Sequence, residues 1–230
     1  MRSARAIVIK QGLDMLKNWT VLIQFVIYPV IAFIFTLLVA RKNDEIPDTM
    51  FVTMFAVIFA SMTIIIAITS VIAEDRENGS IRFLAMAGVK PHEYLVGTGG
   101  VVVAVSAVVV AVFAVMGGFT GAGTITFFGC VMLGVIASTL LGAILGMLAR
   151  NQQSAVALGM PVAMVLGFGP MLATFDSTVE RVFTVFYTQQ VSLVANDVSA
   201  GLLRPLLVIA ANLAVLAALF AVVYRRRGLR

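Results

Sequence analysis

Residues 51–73 read FVTMFAVIFASMTIIIAITSVIA, a run of 23 residues without a charged side chain. A helix needs about 20 mainly apolar residues to cross the hydrocarbon core of a bilayer, so this run predicts a membrane-spanning helix. Five further runs of the same kind occur, and together they predict an all-α, polytopic membrane protein with a single transmembrane domain over 1–230. The six predicted spans are about 19–40, 51–73, 94–116, 125–149, 155–175 and 206–224.

The composition supports this assignment. Hydrophobic residues make up 61% of the chain and charged residues 12%, with a mean hydropathy of +1.06. A soluble chain carries roughly 45–50% apolar and about 25% charged residues, so a soluble enzyme and a nucleic-acid-binding module are excluded despite the pI near 9.8. Cys130 is the only cysteine, which leaves no disulfide framework and no metal cluster.

Basic side chains are unevenly divided between the two sides of the predicted bundle. Twelve Lys and Arg lie on the side of the N-terminus and four on the other side. Cytoplasmic loops are enriched in these residues, so both termini are predicted in the cytoplasm of a plasma-membrane protein. Residues 2–18 are predicted as an interfacial helix, either a simple anchor or a moving element, and 176–205 as an outer segment that lies in or re-enters the membrane interface.

The predicted spans carry no residue suited to ion coupling or hydrolysis. They lack Asp, Glu, Lys, Arg and His, which argues against a proton- or sodium-coupled transporter. His92-Glu93 is followed by Val96 where a metalloprotease helix has its second histidine. No Gly-Lys pair is present to form a phosphate-binding P-loop. The chain is therefore predicted not to be an enzyme and to bind no cofactor itself.

The loop at 74–93 is the most informative connecting segment. An acidic cluster ends the second span, Gly79 permits a turn, and Ser80 can cap a short helix over 81–87. Gly88 then ends that helix. Apolar surface on a cytoplasmic loop implies a protein partner or the membrane surface. The residues assigned to partner binding are Glu74, Glu77, Gly79, Ser80, Ile81, Arg82, Phe83, Leu84 and Met86.

Candidate residues for a substrate path lie in the second and fifth spans. The hydroxyl groups of the second span could hydrate a path or bond back to their own helix. Proline in the fifth span could break a cavity-lining helix or bend a packed one. The assigned residues are Thr53, Ser61, Thr63, Thr69, Met160, Pro161, Met164 and Phe168. The four-residue spacing of small residues at Gly134, Ser138, Gly142 and Gly146 predicts close packing within the chain in preference to a dimer seam.

The Glu-x-x-Glu-x-Gly-Ser pattern at 74–80, followed by a short leucine-containing helix and Pro91 before the third span, resembles the permease subunits of type-2 ABC exporters. The resemblance covers nearly the whole chain. It implies that the helix at 81–87 docks in a separate cytoplasmic ATPase subunit, which binds ATP and Mg. It also implies a working unit of two ATPase chains and two permease chains, identical or homologous.

This resemblance further implies that the second and fifth spans face a central cavity that alternates between inward and outward access. The uncharged spans suit a lipophilic or amphipathic substrate, such as a drug, an antimicrobial peptide or a lipid-like molecule, and hence a role in resistance. Two alternatives stay open: a membrane scaffold or sensor that recruits a non-ATPase partner, and a facilitator that works without ATP. Membrane lipids are the other expected partners, and no nucleic acid is expected to bind.

Overall fold

The computed structural model describes residues 19–43, 45–86, 88, 91–199 and 201–227. Within these residues the chain forms helices and no strand, and six of the helices are long and apolar enough to cross a membrane. The prediction of an all-α, six-span membrane protein is thereby confirmed. The interfacial helix predicted at 2–18 lies outside the described residues.

The helices follow one another with short connections. In chain order they are α1 (Trp19–Leu38), α2 (Met50–Ile58), α3 (Ile64–Glu77), α4 (Ser80–Met86), α5 (Pro91–Met116), α6 (Ala122–Leu148), α7 (Gln152–Ala173), α8 (Ser177–Phe183), α9 (Tyr187–Asn196) and α10 (Leu203–Arg227). A π-helical turn, Phe59–Thr63, joins α2 and α3 into one second span. The six spans are therefore α1, α2–α3, α5, α6, α7 and α10.

The second and fourth spans form the centre of the bundle. In the most apolar part of the second span 78% of the residues are buried inside the chain, against 17% in the first span and 11% in the sixth. Phe59 packs its ring edge against Phe25 of α1 at a centroid distance of 5.5 Å and lies 6.0 Å from the ring of Phe113 of α5. The first and third spans thus pack on the second through aromatic contacts.

Close approach between the second and fourth spans depends on two glycines. A Cβ atom on Gly142 would lie 2.9 Å from the carbonyl oxygen of Ile65, and one on Gly146 would lie 2.8 Å from the carbonyl oxygen of Thr69. The Thr69 hydroxyl donates a hydrogen bond to the carbonyl oxygen of Gly142 at 3.1 Å. The small residues of α6 therefore pack within the chain, as predicted.

The segment between the fifth and sixth spans is a helical hairpin, α8 and α9, that re-enters the bundle. Its second helix runs antiparallel to α6, because the Tyr187 hydroxyl lies 2.7 Å from the Ser138 hydroxyl and Gly134 faces Val191. Ser138 lies 16 residues into α6, which at 1.5 Å per residue is about 24 Å from its start. The hairpin tip therefore reaches past the midpoint of that span.

The hairpin tip at 184–186 is irregular backbone at membrane depth, where its polar groups need partners within the protein. Gln190 donates its side-chain N–H to the carbonyl oxygen of Thr184 at 2.6 Å. Asn212 of α10 donates to the carbonyl oxygen of Val185 at 2.9 Å. Two neutral amides therefore satisfy the exposed carbonyls of the tip. Below, the end of the bundle from which this hairpin descends is called the hairpin end, and the opposite end, where α3 ends and α5 begins, the basic end.

Candidate functional site

The short helix α4, called here the coupling helix, projects from the basic end with two different faces. It begins at Ser80 after Gly79, whose φ of 70° is open to glycine and costly for other residues. Phe83 and Met86 are 70% and 66% exposed. Such apolar side chains in a loop outside the spans form a surface that a partner can cover.

The other face of the coupling helix is attached to the bundle. Ile81 is only 2% exposed and belongs to the hydrophobic core, and Leu84 is half-buried against it. Ile81, assigned from sequence to partner contact, thus anchors the helix to its own bundle and is not part of its exposed face. The backbone of Arg82 lies in the helix, while its side chain and all of Ala87 are outside the described residues.

The charged residues before the coupling helix hold the link between the fourth and fifth spans. Arg76 donates from Nη1 to the carbonyl oxygens of Met147 and Ala149, at 2.7 and 2.6 Å. Glu77 accepts a hydrogen bond from the backbone N–H of Gln152 at 3.2 Å. A cation thus lies at the C-terminus of α6 and an anion at the N-terminus of α7, and both placements are favourable for the helix dipoles.

Two further bonds extend this arrangement to the third span and reinforce it at the fifth. The Tyr94 hydroxyl, near the start of α5, donates to the Asp75 carboxylate at 3.0 Å. The Gln152 side-chain amide donates to the Glu74 carboxylate at 2.9 Å. Residues 74–77, called here the charged joint, therefore connect the end of the second span to the third, fourth and fifth spans. Glu74 and Glu77, assigned from sequence to partner binding, make these bonds within the chain.

All four candidate hydroxyl residues of the substrate path lie inside the bundle. Thr53, Ser61, Thr63 and Thr69 are each at most 2% exposed. The Ser61 hydroxyl donates back to the carbonyl oxygen of Val57 at 2.8 Å, and a Cβ atom on Gly167 of the fifth span would lie 3.3 Å from the Ser61 oxygen. These four residues do not line an open path here: Ser61, Thr63 and Thr69 are packed between the fourth and fifth spans, and Thr53 bonds to α9.

The candidates in the fifth span are exposed instead. Met160, Met164 and Phe168 follow one another at four-residue spacing, so they share one helical face, and they are between 38% and 44% exposed. Pro161 is also exposed but lines a separate cavity. The fifth span therefore presents an uncharged, sulfur-rich stripe, Met160–Phe168, to the outside of this chain.

A cavity of about 370 Å³ opens at the hairpin end between the second span, the fifth span and α9. Its wall combines methionines with a few polar side chains, among them Met50, Met54, Met171, Thr174 and Asn196. Asn196 accepts a hydrogen bond from the Thr53 hydroxyl at 2.7 Å. A mainly apolar wall with a few polar groups suits an amphipathic ligand.

Sequence reasoning missed Gln152, Tyr94 and Asn196. Each is a polar residue near the end of a helix, which is an ordinary position for a solvated side chain. Only the packing of the spans brings these residues to partners 19 to 143 positions away. No local pattern could have identified them.

Comparison with known families gives a match over residues 41–224, to the family described as ABC-2 family transporter protein. The match includes the second to fifth spans, the charged joint, the coupling helix, the re-entrant hairpin and most of the sixth span. No curated protein matches the chain.

Proposed function

This chain belongs to the ABC-2 transporter family and is a permease subunit of an ABC transporter; from that premise we propose that it exports a lipophilic or amphipathic substrate, driven by ATP. A cytoplasmic ABC ATPase subunit is its partner, and the permease is itself the non-catalytic part. ATP and Mg bind to the ATPase, two copies of which act on two permease chains, identical or homologous. The transporter works by alternating access.

The coupling helix is the single observation that carries the proposal. Its outer face offers Phe83 and Met86 for docking, and its inner face anchors it through Ile81. An aromatic and a methionine are residue types enriched at protein interfaces. A displacement of this helix by the ATPase reaches three spans at once through the charged joint.

The orientation follows from the distribution of charge. Exposed Arg150, Arg225 and Arg226 lie at the same end of the bundle as the charged joint. The excess of basic residues there supports a cytoplasmic basic end, with both termini in the cytoplasm and the protein in the plasma membrane. The ATPase then meets the coupling helix on the side where ATP is available.

The substrate class follows from the uncharged surfaces of the fifth span. The stripe Met160–Phe168 and the methionine-lined cavity at the hairpin end offer flexible apolar contacts and no fixed charge. Methionine adapts to ligands of irregular shape. A drug, an antimicrobial peptide or a lipid-like molecule meets these requirements, and transport of the first two would confer resistance.

Replacement of Phe83 by Glu tests the docking step. The partner in this test is an ABC ATPase subunit from the native host, co-expressed and purified with the permease. Because loss of a central aromatic anchor typically costs about 2 kcal/mol or more, the affinity of the two subunits should fall about 30-fold. Substrate-stimulated ATP hydrolysis in proteoliposomes should fall with it.

Asn78→Glu is the matched control, since it adds the same charge to an exposed position in the same loop. It should leave the complex intact, and Phe83→Leu should retain most of the binding. If Phe83→Glu copurifies with the ATPase as well as the unmodified chain does, the docking proposal is wrong. Substrate flux through the permease alone, without nucleotide, would favour the facilitator instead.

A further inference from the structure

The re-entrant hairpin separates the fifth and sixth spans over only part of their length. α8 packs on the fifth span, where the ring of Phe183 lies directly against Gly169, and α9 packs on the fourth. Beyond the tip, toward the basic end, no part of the hairpin remains to fill the space between the fourth, fifth and sixth spans. A gap is therefore expected directly beneath the tip.

That gap is a cavity of about 440 Å³. Its lining is almost entirely apolar, and the residues that define its walls and roof are Leu141, Pro161, Val165, Phe186, Asn212 and Leu216. Val165 is 59% exposed and Phe186 37%, so the cavity opens sideways at the surface of the bundle. At membrane depth that surface meets lipid, and no water is available to fill the space.

The distance from the basic end matches the length of a lipid chain. Leu141 lies seven residues before the end of α6 and Pro161 nine residues after the start of α7, which is about 11 and about 14 Å. Half of a hydrocarbon core of about 30 Å is about 15 Å. The chain of a lipid whose headgroup lies at the basic end therefore reaches the cavity with its terminal part.

The basic end supplies charges for the headgroup. Arg150 follows α6, and Arg225 and Arg226 lie in the last turn of α10, and all three are exposed. α6 and α10, near whose ends these arginines lie, are walls of the cavity. Arginines at a membrane surface attract anionic lipids, and Arg binds phosphate oxygens particularly well.

We propose that this cavity is a binding site for one chain of an anionic phospholipid, drawn from the leaflet at the basic end and held with its tail beneath the hairpin tip. The tail fills apolar space that the fold leaves open, and the headgroup pairs with the arginines at the basic end. Met160, Met164 and Phe168 do not line this site, and the site is distinct from the cavity at the hairpin end. It does not depend on the direction of transport.

Tryptophan fluorescence tests the site in the full-length chain. Trp19 is the only tryptophan, so Trp19→Phe removes the native tryptophan fluorescence. Phe186→Trp in that variant then places a single fluorescent reporter at the roof of the cavity. Phe33→Trp, on the exposed surface of the first span, is the matched control. Each variant is reconstituted in phosphatidylcholine vesicles that contain increasing amounts of phosphatidylglycerol. In one series the phosphatidylglycerol carries bromine near the end of its chains, and in the other the phosphatidylcholine does. Bromine quenches the fluorescence of a nearby tryptophan.

The reporter at position 186 should be quenched by brominated phosphatidylglycerol with about fivefold preference over brominated phosphatidylcholine, the effect expected of one basic side chain near the surface. The control should show a ratio of about one. Val165→Phe, which fills the cavity from its open side, should abolish the preference at 186. Arg225→Gln with Arg226→Gln should reduce the preference and leave quenching by either lipid in place.

Equal preferences at positions 186 and 33 would overturn the proposal, and so would a preference at 186 that survives Val165→Phe. If Phe186→Trp fails to yield folded protein by size-exclusion chromatography, Leu216→Trp serves as the reporter on the opposite wall. The same two outcomes then decide the question.

Discussion

The two ends of the bundle connect spans by different means. At the basic end, the charged joint holds three spans with ionised side chains, such as Arg76 on the carbonyl oxygens of α6. The hairpin that descends from the opposite end is held at its tip, at membrane depth, by neutral amides, Gln190 and Asn212, and along its length by close contacts on glycine. The difference follows the solvent, because ionised groups are costly in hydrocarbon and neutral amides are tolerated there when paired.

This contrast assigns different mechanical roles to the two ends. A bond made near water can be exchanged for a bond to water at little cost, whereas a buried bond cannot. The charged joint can therefore rearrange during a transport cycle while the hairpin stays in place. The following predictions test that division, beginning with the largest effect on stability.

Gly169→Leu should be the most damaging change at the hairpin end. The ring of Phe183 lies directly against Gly169, so a larger side chain must push α8 off the fifth span. Overpacking of this kind costs about 3 kcal/mol, which thermal unfolding in detergent would record. Gly129→Leu is the control, because no atom outside its own helix lies within 4 Å of its Cβ position. Equal melting temperatures for the two variants would contradict the hairpin contact.

Gln190→Leu should destabilise the chain by about 2 kcal/mol. It leaves the carbonyl oxygen of Thr184 at membrane depth without its donor, and an unpaired buried polar group carries its full desolvation cost. Gln153→Leu, at an exposed position of α7, should change stability by less than about 0.5 kcal/mol. The same thermal unfolding measurement compares them, and an unchanged Gln190→Leu protein would show that the amide is dispensable.

Arg76→Gln should lower stability by only about 1 kcal/mol, because water can reach the end of α6 and replace the lost bonds. Its effect on function should be larger. We expect the ATPase complex to hydrolyse ATP with little stimulation by substrate, since the coupling helix is no longer tied to the fourth span. Arg181→Gln, at an exposed position of α8, is the control. If substrate stimulates ATP hydrolysis normally in the Arg76 variant, the charged joint does not transmit motion between the ATPase and the spans.

Glu77→Gln should have the smallest effect, about 0.5 kcal/mol, because it removes one anion from the N-terminus of α7 and leaves a hydrogen-bond acceptor. The effect of the carboxylate should also shrink as salt is added, since exposed charges are screened. The contribution of Gln190 should not depend on salt. A salt-independent loss at Glu77 would show that the two ends do not differ in the proposed way.

The fold was predictable to the extent that it depends on local pattern. The apolar runs located all six spans, because the length and composition of a membrane-spanning helix are set by the bilayer alone. The turn at Gly79 was also predictable, since positive φ favours glycine. The ends of the spans were less predictable. The second span was predicted to end at residue 73 and continues through Glu77, because charged residues at the water boundary remain helical.

The candidate site depended on partners distant in sequence, and there prediction was weaker. The sequence does not distinguish a carboxylate that binds an ATPase from one that accepts a hydrogen bond within the chain. Glu74 accepts a hydrogen bond from the side chain of Gln152. Thr69 likewise bonds to the carbonyl of Gly142, a pairing set by the register of two packed helices. Phe83 and Ile81 differ by two positions and point to opposite environments, which the short apolar run did not resolve.

The wide turn at Phe59–Thr63 has one more consequence. A π-helical turn accommodates one residue more than an α-helical turn, and each residue of an α-helix advances by about 100° around the axis. The two halves of this membrane crossing are therefore out of phase by about one residue step: Met54 borders the opening near α9, and Ile72 presses on Gly146. Conversion of that turn to ordinary α-helix would rotate one half of the span relative to the other by about 100° and lengthen the span by only about 1.5 Å, with the helix unbroken.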